Sequence, residues 1–463
     1  MHSYSIHSQV NMSYGYTPNE QANGSAQVSQ DGILVTKRTI LSNPGTKLDY
    51  GLYYNAINTL VQASQVTWTQ GRYKQSLSSP QFGAQSTVII PNGSFVQTVT
   101  LHLKFPTALG ANMVLNRGWG FAAIQSISFL MGSSNVPQIT IQGQTLYQLM
   151  LAQCEGVLKR SEMLSLGGQE TFGSASATYI PSCDIIIPLP FSSCAGKDIQ
   201  LPYDTNLLQN PITVNIQLAP LRNFCSGVGV ASYAQYAFGR AEVSLKLGDM
   251  LNKDAGLRRK MQDNPDLIYG YPFNHYQSYQ AAFTSLGGGS STTRATINLL
   301  GFINADLLGI VIGVQQAIQQ SPARTNDIIN PLIYEEVEDV QIDFNGLVMH
   351  STTGSQHKLT GMNSVNDAVY VQQSLINIPT VAGTAPFTST PVNVYPVYID
   401  FAQVRSMNFF REYENVWRIG NNTLTLNLRT PNLADGTNCI VYCTYIYNGI
   451  LNTKAGETEI FFN

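Results

Sequence analysis

Two phrases constrain this chain more than anything else in it: NPITVNIQLAP, Asn210–Pro220, and NTLTLNLRTP, Asn422–Pro431. Each opens on Asn, alternates apolar with polar residues, and stops at Pro. Period-two alternation predicts a strand with one buried face. Proline cannot donate to a ladder, so it marks the strand's end. The neighbours repeat as well. IQSISFLMG (Ile124–Gly132) is answered by VEDVQIDFNG (Val337–Gly346), CDIIIPLPF (Cys183–Phe191) by VYPVYIDF (Val394–Phe401), and AEVSLKLGDMLN (Ala241–Asn252) by CIVYCTYIYNGILN (Cys439–Asn452). The pairs Ile127/Val340, Phe191/Phe401, Pro220/Pro431 and Asn252/Asn452 stand 213, 210, 211 and 200 residues apart. Elements recurring in one order at one offset imply a duplication. A period of roughly 200 residues, far above the 20–50 of a solenoid, means two copies of a whole domain.

Within each copy the order is hairpin, strand, helix, apolar strand and two alternating strands. The first hairpin is predicted over Ser86–Phe105, two β-rich runs around Pro-Asn-Gly. A helix is predicted over Gln144–Leu164, where Leu146, Leu149, Met150, Cys154, Val157 and Leu158 recur at helical spacing, and Val365–Asn377 has similar spacing. Many short strands with helices confined to connections predict an all-β chain of two tandem eight-stranded jelly rolls, or β-sandwiches, with short connecting helices. The expected boundaries are a flexible polar N-terminal arm over 1–31, jelly rolls over 32–250 and 268–463, and a charged linker over 251–267.

Composition narrows the function. Apolar residues make up 43% of the 463, enough for large cores, while charged residues make up only 11% and the net charge is −3. Average soluble proteins carry about 25% charged residues. A surface built from Asn, Gln, Ser and Thr suits burial against other protein, because neutral polar groups cost less to desolvate than charges. There is no broad basic field for sequence-specific nucleic-acid binding. The densest basic cluster, Lys253, Arg258, Arg259 and Lys260, reads as a solvated helix or linker. The most apolar long window, Ile297–Val314, is interrupted by Asn298, Asn304 and Asp306, so no transmembrane helix is expected. The N-terminus has no apolar core of a signal peptide. Synthesis in a reducing compartment is expected, with Cys154, Cys183, Cys194, Cys225, Cys439 and Cys443 as free thiols and the sequons at Asn11, Asn23, Asn92 and Asn421 arising by chance. On one strand, Cys439 and Cys443 would share a face about 13 Å apart, too far for a disulfide.

No catalytic, cofactor-binding or metal-binding residue is assigned. His2 and His7 lie in the arm, His102 alternates with leucines as a solvent-facing or interface position, and His350 and His357 match no metal spacing. Gly287–Ser291 lacks the Lys of a phosphate loop. Glu335, Glu336, Glu338 and Asp339 admit a glycosidase pair or a cation site, but a charged strand entrance at the surface is favoured.

The segment Ile185–Leu221, IIIPLPFSSCAGKDIQLPYDTNLLQNPITVNIQLAPL, together with WRIGNNTLTLNLRTP and YCTYIYNGIL, resembles the double jelly-roll major capsid proteins of icosahedral double-stranded DNA viruses. That lineage includes tectiviruses, adenovirus, virophages, Polinton-like viruses and the large nucleocytoplasmic DNA viruses. The chain lacks the Gly-rich C-terminal ending of the large-virus branch, which leans the resemblance toward the virophage or Polinton-like kind. The resemblance implies a structural protein, not an enzyme, that needs no cofactor. It implies a homotrimer forming a pseudo-hexameric capsomer within an icosahedral virion, after synthesis in the host cytoplasm. Its partners would be neighbouring capsomers, minor capsid or penton proteins and an inner membrane, the last contacts made by the arm. The rival readings are a carbohydrate-binding jelly-roll lectin or adhesin, disfavoured by only three Trp (Trp68, Trp119, Trp417), and a two-domain glycosidase.

Overall fold

The computed structural model describes residues 27–28, 34–35 and the greater part of 66–250, 269–317, 334–352, 397–400 and 417–462. Leaving two-residue strands aside, eight strands come first: β1 Val66–Ser76, β2 Gln85–Ile90, β3 Phe95–Lys104, β4 Ile124–Leu130, β5 Ile139–Gln142, β6 Ser182–Ile187, β7 Ile212–Leu218 and β8 Arg240–Met250. Eight more make up the second pair of sheets: β9 Tyr269–Thr284, β10 Ala295–Leu299, β11 Ala305–Gln316, β12 Asp339–Phe344, β13 Leu347–Thr352, β14 Val397–Asp400, β15 Leu424–Arg429 and β16 Asn438–Lys454, with Trp417–Ile419 paired to β11 and Glu457–Phe462 to β16 besides. The first eight form two antiparallel sheets, ordered β1-β8-β3-β6 and β2-β7-β4-β5. The second eight form β9-β16-β11-β14 and β10-β15-β12-β13. Adding eight to every strand number turns the first pair of sheets into the second, so the duplication read from the sequence is a duplication of topology. The two opening phrases are β7 and β15, each the second strand of its sheet.

Each sandwich closes on alternating side chains. In β7, Ile212, Val214, Ile216 and Leu218 point inward and are almost wholly buried. In β15, Leu426 and Leu428 do the same, with Ile342 and Val340 of β12 opposite them. Full burial of each such side chain is worth about 1.5–3 kcal/mol. The thiols of Cys439 and Cys443 are buried in the second core, and those of Cys183 and Cys225 are buried in the first half; none of the four is in a disulfide. Cys154 and Cys194 lie outside the described residues. So do the linker at 251–267, Gly287–Ser291, the helical spacing of Val365–Asn377 and nearly all of the arm, where Gln27–Val28 pairs with Leu34–Val35.

One expectation changes. The segment Ser86–Phe105 is not a hairpin: β2 pairs with β7, whereas β3 pairs with β6 and β8 in the other sheet. Pro91-Asn92-Gly93 carries the chain across the sandwich, with Gly93 at φ 108, open to glycine alone at little cost. Buried Thr205 pins this crossing. Its hydroxyl lies 2.8 Å from the carbonyl oxygen of Ser94 and 3.1 Å from that of Pro91, and it accepts the Ser94 N–H at 3.3 Å. Asn92 Nδ2 donates to the carbonyl of Leu208 at 3.3 Å, so this sequon side chain serves the turn. Thr205→Val keeps the shape but leaves these groups unmatched, and we expect a loss of about 1–3 kcal/mol, read from the urea midpoint. The helix, α1, runs over Gly143–Gln153 and follows directly on β5; residues 154–164 are outside the description.

Candidate functional site

The surfaces that distinguish the two sandwiches are the outer faces of the equivalent sheets β1-β8-β3-β6 and β9-β16-β11-β14. The second of these faces is covered within the chain. On β11, Ile310, Ile312 and Val314 point into the second core, so Val311, Gly313 and Gln315 point away from it. On β16, Thr444 and Ile446 point away in the same sense. Yet Val311, Gln315, Thr444 and Ile446 are all buried, because the first sandwich packs over them. Val311, Ile446, Tyr276 and Leu451 join the apolar cluster of the first half.

Helix α1 makes the polar part of this seam. The hydroxyl of Thr444 donates to Gln148 Oε1 at 2.6 Å. Its proton being spent there, Ser278 donates to Thr444 (3.1 Å), and Thr145 in turn donates to Ser278 (2.5 Å). Tyr203 and Thr453 share a further buried hydrogen bond at 3.0 Å. Tyr147 of α1 stacks on Tyr334, ring centroids 6.4 Å apart and planes 10° apart. Tyr334 lies over Gly313, where an added Cβ would sit 2.4 Å from the ring and 2.9 Å from Gln148 Nε2. Burial pushes the Tyr334 hydroxyl well above the ordinary range, so the phenol stays neutral. These seam groups around α1 are all neutral, and α1 itself carries no charged residue.

The equivalent face of the first sandwich is charged and open. Outward-facing positions hold Lys74 on β1, Glu242 and Arg240 on β8, His102 and Lys104 on β3, and Asp184 on β6, lining one shallow depression. His102 stands directly across from Asp184 and Glu242 in the ladder. Its Nδ1 donates to Asp184 Oδ1 at 2.5 Å, and its Nε2 shares a hydrogen bond with the Ser244 hydroxyl at 2.7 Å. Arg240 is paired with Glu242, and Lys74 Nζ lies 3.8 Å from the same carboxylate. The hydrogen bond from Arg240 holds Glu242 below the usual carboxylate range. The expectation for His102, a solvent-facing or interface position, agrees with this placement.

The two described carboxylates of the 335–339 cluster have separate partners. Glu335 accepts from Gln316 Nε2 at 2.7 Å, while Asp339 accepts from Arg429 Nε at 3.0 Å. Glu336 and Glu338 are outside the described residues, as are His2, His7 and His357 and the side chain of His350. Among the described residues no group of three or more His, Cys, Asp or Glu could hold a metal ion, and no helix is long and apolar enough to cross a membrane. The seam was not foreseen from sequence, though a signal existed. Leu307–Val314 is apolar at successive positions, the pattern of a strand covered on both faces.

No protein-family model and no curated protein matches the chain. Solved structures do. The PBCV-1 virus capsid is similar at a TM-score of 0.53 and 12% identity, over 86% of this chain and 96% of that one. The Sputnik virophage matches at 0.52 and 12%, over 86% and 88%. The Faustovirus major capsid protein matches at 0.52 and 8%, over 83% and 90%. Identities this low speak for the fold alone, and with the strand order above they establish it: the chain is an all-β double jelly roll, built as the chains of these viral capsids are built.

Proposed function

We propose that this chain is the major capsid protein of an icosahedral double-stranded DNA virus, a structural protein of the virion whose activity is association. The observation that carries the reading is the seam between the sandwiches. It joins unlike surfaces of two units that share one topology, α1 of the first against the outer sheet face of the second. Such a heterologous contact, repeated around an axis, closes a ring. Three chains supply six jelly rolls and close a pseudo-hexameric capsomer able to tile a facet. In this reading 32–250 and 268–463 are the two units and 251–267 joins them. The arm over 1–31 reaches neighbouring capsomers, minor capsid or penton proteins, or an inner membrane.

The low charge supports the reading, since many identical copies must pack without long-range repulsion. The separated partners of Glu335 and Asp339 give no support to sugar hydrolysis, and none of the described residues of the sandwich faces favours a lectin. Light scattering on the purified full chain should return a particle of about three times 50.7 kDa, with pseudo-hexagonal outlines in electron micrographs. A chain that stays single at all concentrations would refute the reading.

A further inference from the structure

We infer that one buried water molecule is built into the seam between the sandwiches, held by Gln144 and Gln148 of α1 on one side and by the hydroxyl of Tyr334, from the second half, on the other. This goes beyond the shell reading and does not depend on it, because the site is complete within one chain.

The fold brings the three groups together. Gln144 and Gln148 stand four residues apart on α1, so their side chains share one face of the helix. The hydroxyl of Thr444 donates to Gln148 Oε1 and so turns Nε2 of the same amide toward β11. There Nε2 lies against Gly313, and so does Tyr334. A Cβ on that glycine would be 2.9 Å from Gln148 Nε2 and 2.4 Å from Tyr334 Cε1, the ring carbon beside the one that bears the hydroxyl. Tyr147, on α1 between the two glutamines, stacks on the Tyr334 ring and fixes it in this place. Burial raises the pKa of Tyr334, while the amides of Gln144 and Gln148 pull it the other way, as donors facing a phenol oxygen do.

Tyr334 Oη, Gln144 Nε2 and Gln148 Nε2 are all sealed from solvent, and none makes a hydrogen bond with a described residue. Tyr334 is wholly buried, Gln148 is 1% exposed and Gln144 9%. Buried polar groups are matched almost without exception, since an unmatched one forfeits the bond it had with solvent before folding. Three of them facing one another at one spot call for a shared partner. An ion would be buried there without a counter-charge, because the seam groups around α1 are neutral. A water molecule has no such penalty. Its oxygen accepts from both amides and one of its protons goes to the phenol oxygen, the three hydrogen bonds usual for a buried water. This also gives a reason for two glutamines on the buried face of a helix whose other inward residues are Leu146, Tyr147 and Leu149.

The test is Tyr334→Phe in the full chain, which removes one oxygen and keeps the stacked ring. The unfolding temperature should fall by about 2–4 °C. Oxygen-17 relaxation dispersion of the solvent, which counts waters held in the protein, should find one fewer long-lived molecule than in the unaltered chain. A hydroxyl with no partner predicts the opposite, since its loss would leave the temperature unchanged or raise it. Gln144→Met should lose the same water. Combined with Tyr334→Phe it should cost less than the two changes summed, because groups that share no direct bond couple through the molecule between them. A temperature that does not fall, or a count of held waters that does not change, overturns the inference. Should Tyr334→Phe fail to fold, the water count in Gln144→Met decides alone.

Discussion

Gly313→Val should lower the unfolding temperature by about 5–10 °C, the largest effect expected of any single substitution in the seam. Gly313 sits mid-strand in β11, and a Cβ there would lie 2.4 Å and 2.5 Å from ring atoms of Tyr334 and 2.9 Å from Gln148 Nε2. Neither neighbour can retreat at low cost. Tyr334 is fully buried and stacked on Tyr147, and Gln148 is tied to Thr444. Overpacking of this kind costs about 1–3 kcal/mol and occasionally more. For units of 150–250 residues each kilocalorie moves the midpoint by about 2–4 °C. Calorimetry or thermal circular dichroism reads the shift. The mechanism has its own control. In a Tyr334→Ala background the room appears, so the further cost of Gly313→Val should fall below about 1 kcal/mol, a coupling expected only of residues in contact. Equal costs in both backgrounds would mean that Tyr334 does not lie over Gly313 as described.

Acid should weaken the second sandwich through His275. This residue lies on β9 on the same face as Tyr279, Ala281 and Phe283, which pack on the second core, and its ring is 6.5 Å from that of Tyr447. Burial disfavours the charged imidazolium and lowers its pKa from 6.5 to about 4. The sign follows from proton uptake. Between pH 6.5 and 4 the unfolded chain binds a proton that the folded chain refuses. The stability owed to the neutral ring is therefore complete above about pH 6.5, declines as the pH falls toward 4, and declines no further below that. The full loss is at most about 3 kcal/mol, with about 2 kcal/mol gone by pH 5. Urea melts at pH 7 and pH 5 measure it. His275→Gln, neutral throughout, should remove most of the difference between the two, and a difference that survives the substitution would assign the acid sensitivity elsewhere.

These two predictions bear on different kinds of information in the chain. His275 could be placed on a strand by the alternation around it, but not in a core, because Tyr271, Phe273, Tyr276 and Tyr279 put large rings on both faces of the segment. Gly313 lies in a run, Leu307–Val314, that the sequence marks as apolar without saying what covers it. The misread hairpin at Ser86–Phe105 has the same origin. Pro91-Asn92-Gly93 announces a turn, but whether the strands beside it pair with each other or cross between sheets depends on β7, β6 and β8, far along the chain.

By itself, the sequence determined the strands of the repeated phrases, their order and their duplication, because side-chain alternation and turn residues are local and survive copying. It also determined that the surface is mostly neutral. Only the tertiary structure decided which outer sheet face is covered and which stays open. That choice rests on contacts such as Thr145 with Ser278, 133 residues apart, and Gln148 with Thr444, 296 apart. Period-two patterning reports whether a face is wet or dry in one strand's surroundings. It carries no address for the group that dries it, and here that group belongs to the other half of the chain.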